Sequence, residues 1–264
     1  MNQIADQISI KPEFAWGARV GYAARGVIYL MIGGLAVMTA FGSGGKTTGT
    51  KGALTSLLEQ PFGQIMFGLV AIGLFCYSGW RAVQCISDTD NHGTNGKGLA
   101  IRAGLLISSI THLLLAIWAF SVLFGSGSSG SSNGASGLIG HTWGRWLLGA
   151  AGIAIIGAGI AHLIKGWKAG FEKYMDIPSQ HRGWAVPMCR FGLVSRGAVY
   201  CLVGFFLVSS VVAAGSADLK NVGEALTWLR DQPFGIWLLG VTAVGLFSFG
   251  VYSGLEAMYR RIDR

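Results

Sequence analysis

A chain of 264 residues with 52% hydrophobic residues, 42 glycines and only 12% charged residues is unlike a soluble domain, where about 25% of residues carry charge. The formal net charge of +8 does not mark a nucleic-acid binder, because Lys and Arg fall between apolar runs and form no patch with interleaved aromatics. Five prolines are too few for a disordered chain. Cys76, Cys85, Cys189 and Cys201 lack CxxC spacing and read as small buried hydrophobes, with no disulfide framework and no metal site.

In chain order, residues 1–15 are a polar N-terminal segment without the apolar core of a cleaved signal peptide. Six windows then qualify as membrane spans, each needing roughly 20 apolar residues: 18–41, 61–86, 99–124, 143–168, 190–214 and 233–258. They are too continuous for barrel strands, so helices are expected, with every backbone polar group satisfied internally. After the first window, GSGGKTTGTKG resembles a phosphate loop but has Ala40 where the first glycine is required, and reads as a linker. ALTSLLEQ follows, with Leu54, Leu57 and Leu58 at helical spacing; a short helix on the outer membrane surface is predicted, with Pro61 in the first turn of the next span. The second loop, SDTDNHG, is rich in turn residues, and the third, GSGSSGSSNGASG, is an uncharged flexible connector. Lys165, Lys168, Lys173, Arg182 and Arg190 flank the fourth loop. By the positive-inside rule this side, which also carries both termini, faces the cytoplasm.

Before the last window, LTWLRDQPFG at 226–235 repeats LTSLLEQPFG at 54–63. The repetition extends to whole hairpins. RVGYAARGVIYLMIG from Arg19, RAGLLISSITHLLLA from Arg102 and RFGLVSRGAVYCLVG from Arg190 align, as do PFGQIMFGLVAIG, TWGRWLLGAAGIA and PFGIWLLGVTAVG. The chain is therefore expected to be an all-α membrane protein of three tandem helical hairpins, at 16–90, 91–177 (diverged) and 178–264. Repeats that each cross twice share one orientation, so a pseudo-threefold axis along the membrane normal is expected. Gly63, Gly144 and Gly235 align, as do Gly68, Gly149 and Gly240, and read as helix-packing devices.

Ala24-Arg25-Gly26 with Tyr29, Ser195-Arg196-Gly197 with Tyr200, and the two Gln-Pro-Phe-Gly blocks resemble a bacterial membrane family catalogued as domain of unknown function 1206. The resemblance runs from about residue 16 to 262; the middle repeat departs from it, with Ser108-Ser109 in place of Arg-Gly. It implies a six-span protein of the bacterial inner membrane and transfers no activity, cofactor or catalytic residue.

A stripe at every fourth residue carries the candidate site: Arg25 and Tyr29 in repeat one, Ser108 and His112 in repeat two, Arg196 and Tyr200 in repeat three, all on one helix face. If that face points to the axis, arginines, tyrosines and a histidine converge. An intramembrane arginine costs roughly 2.5–3.5 kcal/mol at mid-span, and the spans offer almost no carboxylates. Arg25 is therefore expected to snorkel to headgroups or pack structurally, with an anion site as the second reading. His112 and His162 are read as hydrogen-bonded inside the bundle, with haem ligation ranked last. The functional expectation is a non-enzymatic structural or accessory protein that binds lipid or a membrane-protein partner; the alternative is a channel or carrier for an anion or small solute. Neither reading calls for a cofactor. The expected partners are membrane lipids, an anionic lipid or small anion among them, and no nucleic acid.

Overall fold

Each of the six apolar windows is a single helix, the form that leaves no backbone hydrogen bond unmade in lipid. The computed structural model describes residues 12–42, 45–125, 142–212 and 221–262. Its six long helices are α1 (Pro12–Ala40), α3 (Gly63–Ser87), α4 (Gly96–Leu123), α5 (Thr142–Trp167), α6 (Ser179–Val212) and α8 (Gly235–Tyr259), all long and apolar enough to cross a membrane. Two short helices, α2 (Thr50–Leu58) and α7 (Val222–Arg230), precede α3 and α8. Residues 1–11 of the N-terminal segment and nearly all of the Gly/Ser connector lie outside the described residues. α6 starts well before the predicted residue 190. Its polar first turns escape a hydropathy window, yet Ala185 and Cys189 are buried, and Pro187 sits on an exposed position.

The short helices are placed by their apolar faces. Ala53, Leu54 and Leu57 of α2 are buried against α1 and α3, and Ala225 and Leu226 of α7 against α6 and α8. Thr47 and Thr227 meet through their hydroxyls at 2.6 Å, so the two elements join at the bundle end opposite the termini. Asn221 and Glu224 form a capping box on α7.

The repeated Gln-Pro-Phe-Gly block is a tight turn; Pro61 stands in it, before the span and not in its first helical turn as predicted, and Pro233 stands likewise before α8. Gly63 N–H donates to Gln60 O (2.9 Å) and Gly235 N–H to Gln232 O (2.8 Å). Phe62 and Phe234 adopt left-handed backbone with φ of 60° and 59°, as the third residue of a type II turn does. A Cβ at Gly63 would lie 2.7 Å from Leu58 O and one at Gly235 2.9 Å from Leu229 O. These two glycines therefore close the turn and do not pack two spans together.

The spans pack in the order α4, α3, α1, α8, α6, α5. Three of these contacts join different repeats, and they use the same register. Gly26 of α1 faces Gly250 of α8, and Gly197 of α6 faces Gly159 of α5, each a backbone approach that a Cβ would block. Between α3 and α4 the equivalent positions hold Ser78 and Ser109, whose hydroxyls donate to each other's carbonyls at 2.8 and 2.9 Å. Gly68, Gly149 and Gly240 face Leu123, Val211 and Ala40 of the same neighbours at ordinary contact distance, and Gly144 is buried on α5.

The Ser78–Ser109 pair substitutes hydrogen bonds for the glycine approach. Ser78→Ala or Ser109→Ala is expected to destabilise by about 0.6 kcal/mol, the average for interhelical hydrogen bonds in membranes. A double-mutant cycle on unfolding in detergent should give a coupling of that size; zero coupling would show that close approach alone holds this crossing.

α4 and α5, the two helices of the diverged repeat, have at most marginal contact among the described residues. Only 22% and 17% of their span windows are buried, against 39% or more in the other four. Among the described residues the arrangement is thus open on the side between α4 and α5.

Candidate functional site

The last carbonyls of a helix lack intrahelical donors and carry the negative end of its dipole. Here arginines that open each repeat fill that role. Arg19 donates to Ala257 O (2.8 Å) and Met258 O (2.9 Å) at the end of α8. Arg102 donates to Cys85 O (2.8 Å) and Ile86 O (3.3 Å) at the end of α3. Arg190 donates to Gly166 O (3.2 Å) and Trp167 O (2.8 Å) at the end of α5. Charges read from sequence only as topology signals therefore clamp each repeat to the one beside it.

One helical turn or two further in, Arg25 is buried, with 3% exposure, and all sides of its guanidinium are bonded. Nε donates to Ser253 Oγ (3.1 Å), Nη1 to the Tyr77 hydroxyl and Nη2 to the Glu256 carboxylate. Glu256, 2% exposed, also accepts from Arg260 Nη1 (3.0 Å). Arg260 Nη2 donates to both oxygens of Asp90 (3.0 and 2.8 Å), Gln84 donates to Asp90 (2.9 Å), and Arg81 bonds Gln84 (3.0 Å) and Tyr77 (2.7 Å). The network closes on itself. Of the two roles expected for Arg25, the structure shows structural packing and not snorkelling: the guanidinium stays inside because Glu256, on the packed neighbour α8, supplies the counter-charge.

Arg196, at the equivalent position of α6, is different. It is 7% exposed. Its hydrogen-bond partner is the Tyr200 hydroxyl, reached from Nη2, and Nε has no partner among the described residues. No carboxylate among the described residues pairs with it. The rings of Phe249, Tyr200 and Tyr29 surround it at 4.3, 4.7 and 4.9 Å from Cζ, so cation–π attraction is its main compensation. The Tyr29 and Tyr200 hydroxyls stand 3.5 Å apart, too far for a good O–H···O bond.

Arg25, Tyr29 and Arg196 of the stripe stand against Phe249, whose ring lies 5.2 Å from Arg25 Cζ and 4.3 Å from Arg196 Cζ, and Tyr200 follows through Arg196. His112 joins through Tyr77, with ring centres 4.6 Å apart, and its Nδ1 bonds Ser108 O at 2.7 Å. Ser108 enters through that carbonyl. His162 bonds Ala158 O through Nδ1 (2.8 Å) and lies 5.7 Å from the Tyr200 ring. Because a backbone carbonyl only accepts, both imidazoles carry their proton on Nδ1 and leave Nε2 as an acceptor. They belong to α4 and α5, the helices that flank the open side.

Sequence reasoning missed Glu256, Tyr77, Ser253 and Lys165, whose Nζ donates to the Tyr252 hydroxyl (3.0 Å). A signal was present in the repeat register. Gln84, Lys165 and Glu256 stand at one position counted from Gly63, Gly144 and Gly235, and Arg81, His162 and Ser253 at another. The polar interior holds Arg25, Arg81, Lys165, Arg196 and Arg260 against Asp90 and Glu256, an excess of cations. Among the described residues no cluster of His, Cys, Asp and Glu is arranged for a metal ion. Asp88 is instead a loop cap: partial burial works against its ionisation, but the N–H groups of His92 (2.8 Å) and Gly93 (2.7 Å) outweigh it and hold the carboxyl below its ordinary range.

The family model described as Domain of Unknown Function (DUF1206) matches the chain three times, at residues 20–88, 103–169 and 191–260. The chain is 30% identical over 260 residues, covering 96% of its own length and 93% of the relative's, to the uncharacterized protein YxxB of Bacillus subtilis (strain 168). No solved structure matches it.

Proposed function

We propose that this chain, which belongs to the DUF1206 family, is a non-enzymatic protein of the bacterial inner membrane, both termini cytoplasmic, that holds an anionic lipid in its polar interior. The three inter-repeat crossings and the three arginine clamps share one register, which supports a pseudo-threefold bundle with its seam open in the diverged repeat. The observation that carries the function is Arg196. A buried guanidinium without a carboxylate is costly in lipid, and its planar fork suits phosphate oxygens. The Tyr29 ring stands 4.9 Å from the same guanidinium, and its hydroxyl, without a close partner in Tyr200 at 3.5 Å, can donate to the same phosphate oxygens. An acyl chain leaving by the side between α4 and α5 meets the apolar exposed residues of these helices, such as Leu106, Ile110, Ile153 and Ile160. Arg25 is the weaker candidate, because each of its three nitrogens already has a partner, in Ser253, Tyr77 and Glu256.

The test is lipid retention. After delipidating washes in neutral detergent, the unaltered protein is expected to keep an anionic phospholipid that mass spectrometry detects. Arg196→Gln should lose it by about tenfold or more, the size of one charge-assisted hydrogen bond. Equal retention by both sinks the lipid reading. Anion flux in liposomes that disappears in Arg196→Gln would favour a small-solute pathway along the axis.

A further inference from the structure

At the end of the bundle that carries both termini lies a cavity of about 190 Å³ lined by Trp80, Thr89, Asp90, Asn91, Lys173, Tyr174, Arg261 and Ile262. Three separate pieces of chain meet there: the α3–α4 loop, the α5–α6 connection and the residues after α8. The last two are tied by an antiparallel pairing, with Asp176 N–H donating to Tyr259 O (2.9 Å) and Arg261 N–H to Tyr174 O (3.0 Å). The cavity's one carboxylate, Asp90, is already held by Arg260 and Gln84. The indole N–H of Trp80 is given to the Tyr22 hydroxyl (3.0 Å).

What remains is donors. Lys173 rests its ammonium on the Tyr174 ring at 4.6 Å and has no ion-pair partner among the described residues. Arg261 donates from Nη2 to Lys173 O (3.0 Å), and its Nε lies 3.2 Å from Oδ1 of Asp176 but out of line for a hydrogen bond. Asp176 is 70% exposed, so that pair is largely screened. Four buried side-chain polar atoms lack a hydrogen-bond partner among the described residues. One belongs to Arg196; the other three, Thr89 Oγ1, Arg260 Nε and Arg261 Nε, lie at or directly behind this cavity.

We propose that the cavity is a second anion site, distinct from the Arg196 site, that takes a phosphomonoester. Lys173 and Arg261 neutralise the phosphate, the Thr89 hydroxyl donates to it, and Trp80 and Tyr174 pack on the attached organic group. A bound phosphate ties all three connections together, so occupancy stiffens this end of the bundle. The phosphomonoester has two sources, a free solute or the headgroup of phosphatidic acid.

The experiment is calorimetric titration of the full chain in neutral detergent with glycerol phosphate and with inorganic phosphate, beside thermal melting in nanodiscs with and without phosphatidic acid. The comparison protein is Lys173→Gln/Arg261→Gln, whose substitutions lie in connections outside the spans; an unchanged melting curve without ligand verifies its fold. Saturable binding of the soluble phosphates, weakened about tenfold or more in the double variant and unchanged in Arg196→Gln, is the expected result for a solute. Stabilisation by phosphatidic acid alone, lost in the double variant and kept in Arg196→Gln, assigns the site to the headgroup. No binding in either arm, or equal binding by the double variant, overturns the proposal. Because Arg196→Gln is the control, failure here leaves the interior lipid site standing, and the reverse holds too.

Discussion

Glu256→Gln is expected to destabilise the protein by about 3–5 kcal/mol, the cost of removing one partner from a buried ion pair. The carboxylate serves two guanidiniums, Arg25 and Arg260, each 4% exposed or less. An amide in its place leaves Arg25 without a counter-charge and Arg260 with Asp90 alone. Arg25→Met should cost less, because Glu256 keeps Arg260. Arg25→Met with Glu256→Met should cost less than the sum of the single changes, since residues in one network do not add. Arg196→Gln should be neutral or stabilising in delipidated protein, because it removes a buried charge that no carboxylate of the chain balances. Unfolding in detergent monitored by circular dichroism gives these values, with Glu256→Met measured alone to complete the cycle. The ordering is the test: if Arg196→Gln were as harmful as Glu256→Gln, Arg196 would be part of the supporting network and not a site held open for a ligand.

Gly250→Val is expected to disrupt the α1–α8 crossing at the upper end of the about 1–3 kcal/mol range for overpacking, and to lower the yield of folded protein. A Cβ at Gly250 would lie 2.7 Å from Leu30 N and 3.0 Å from Gly26 O. Both are backbone atoms of a packed helix and cannot swing aside. Gly159→Val should act alike between α5 and α6, where the Cβ would meet Gly197 O at 2.8 Å and Cys201 N at 2.9 Å. Gly68→Ala and Gly240→Ala provide the contrast. Their nearest neighbours stand at 3.5 and 3.9 Å, ordinary contact, so shifts within about 0.5 kcal/mol are expected. Thermal melting of the four variants separates the two classes, and equal effects would show that close approach is not what those glycines provide.

The aligned glycines show how far a repeat can be read. Counting register from Gly63, Gly144 and Gly235 brings Gly250, Ser78 and Gly159 into one set, and Gln84, Lys165 and Glu256 into another. The first set marks the inter-repeat crossings and the second the polar interior. Neither set announces its partner, because the contacts run between repeats: Arg25 and Glu256 are 231 positions apart in the chain. The second Gln-Pro-Phe-Gly block was legible as a repeat, but its geometry was not. Pro61 is compatible both with a first helical turn and with the second residue of a turn, and only the left-handed Phe62 decides between them.

From sequence alone come the six helices, the threefold repetition, the short helices before α3 and α8, and the stripe that carries Arg25, Tyr29, Arg196 and Tyr200. These follow from hydropathy, helical spacing and internal repetition, which are local and survive without knowledge of any neighbour. Only the tertiary structure decided which arginine is satisfied. In lipid the hydrophobic effect does not choose helix partners. The choice falls to close backbone approach and to a few buried charges, and those depend on which residues of distant segments end at the same depth. Glu256 reaches Arg25 and leaves Arg196 among aromatic rings, while α4 and α5 part in the repeat that carries Ser108 where the others carry arginine.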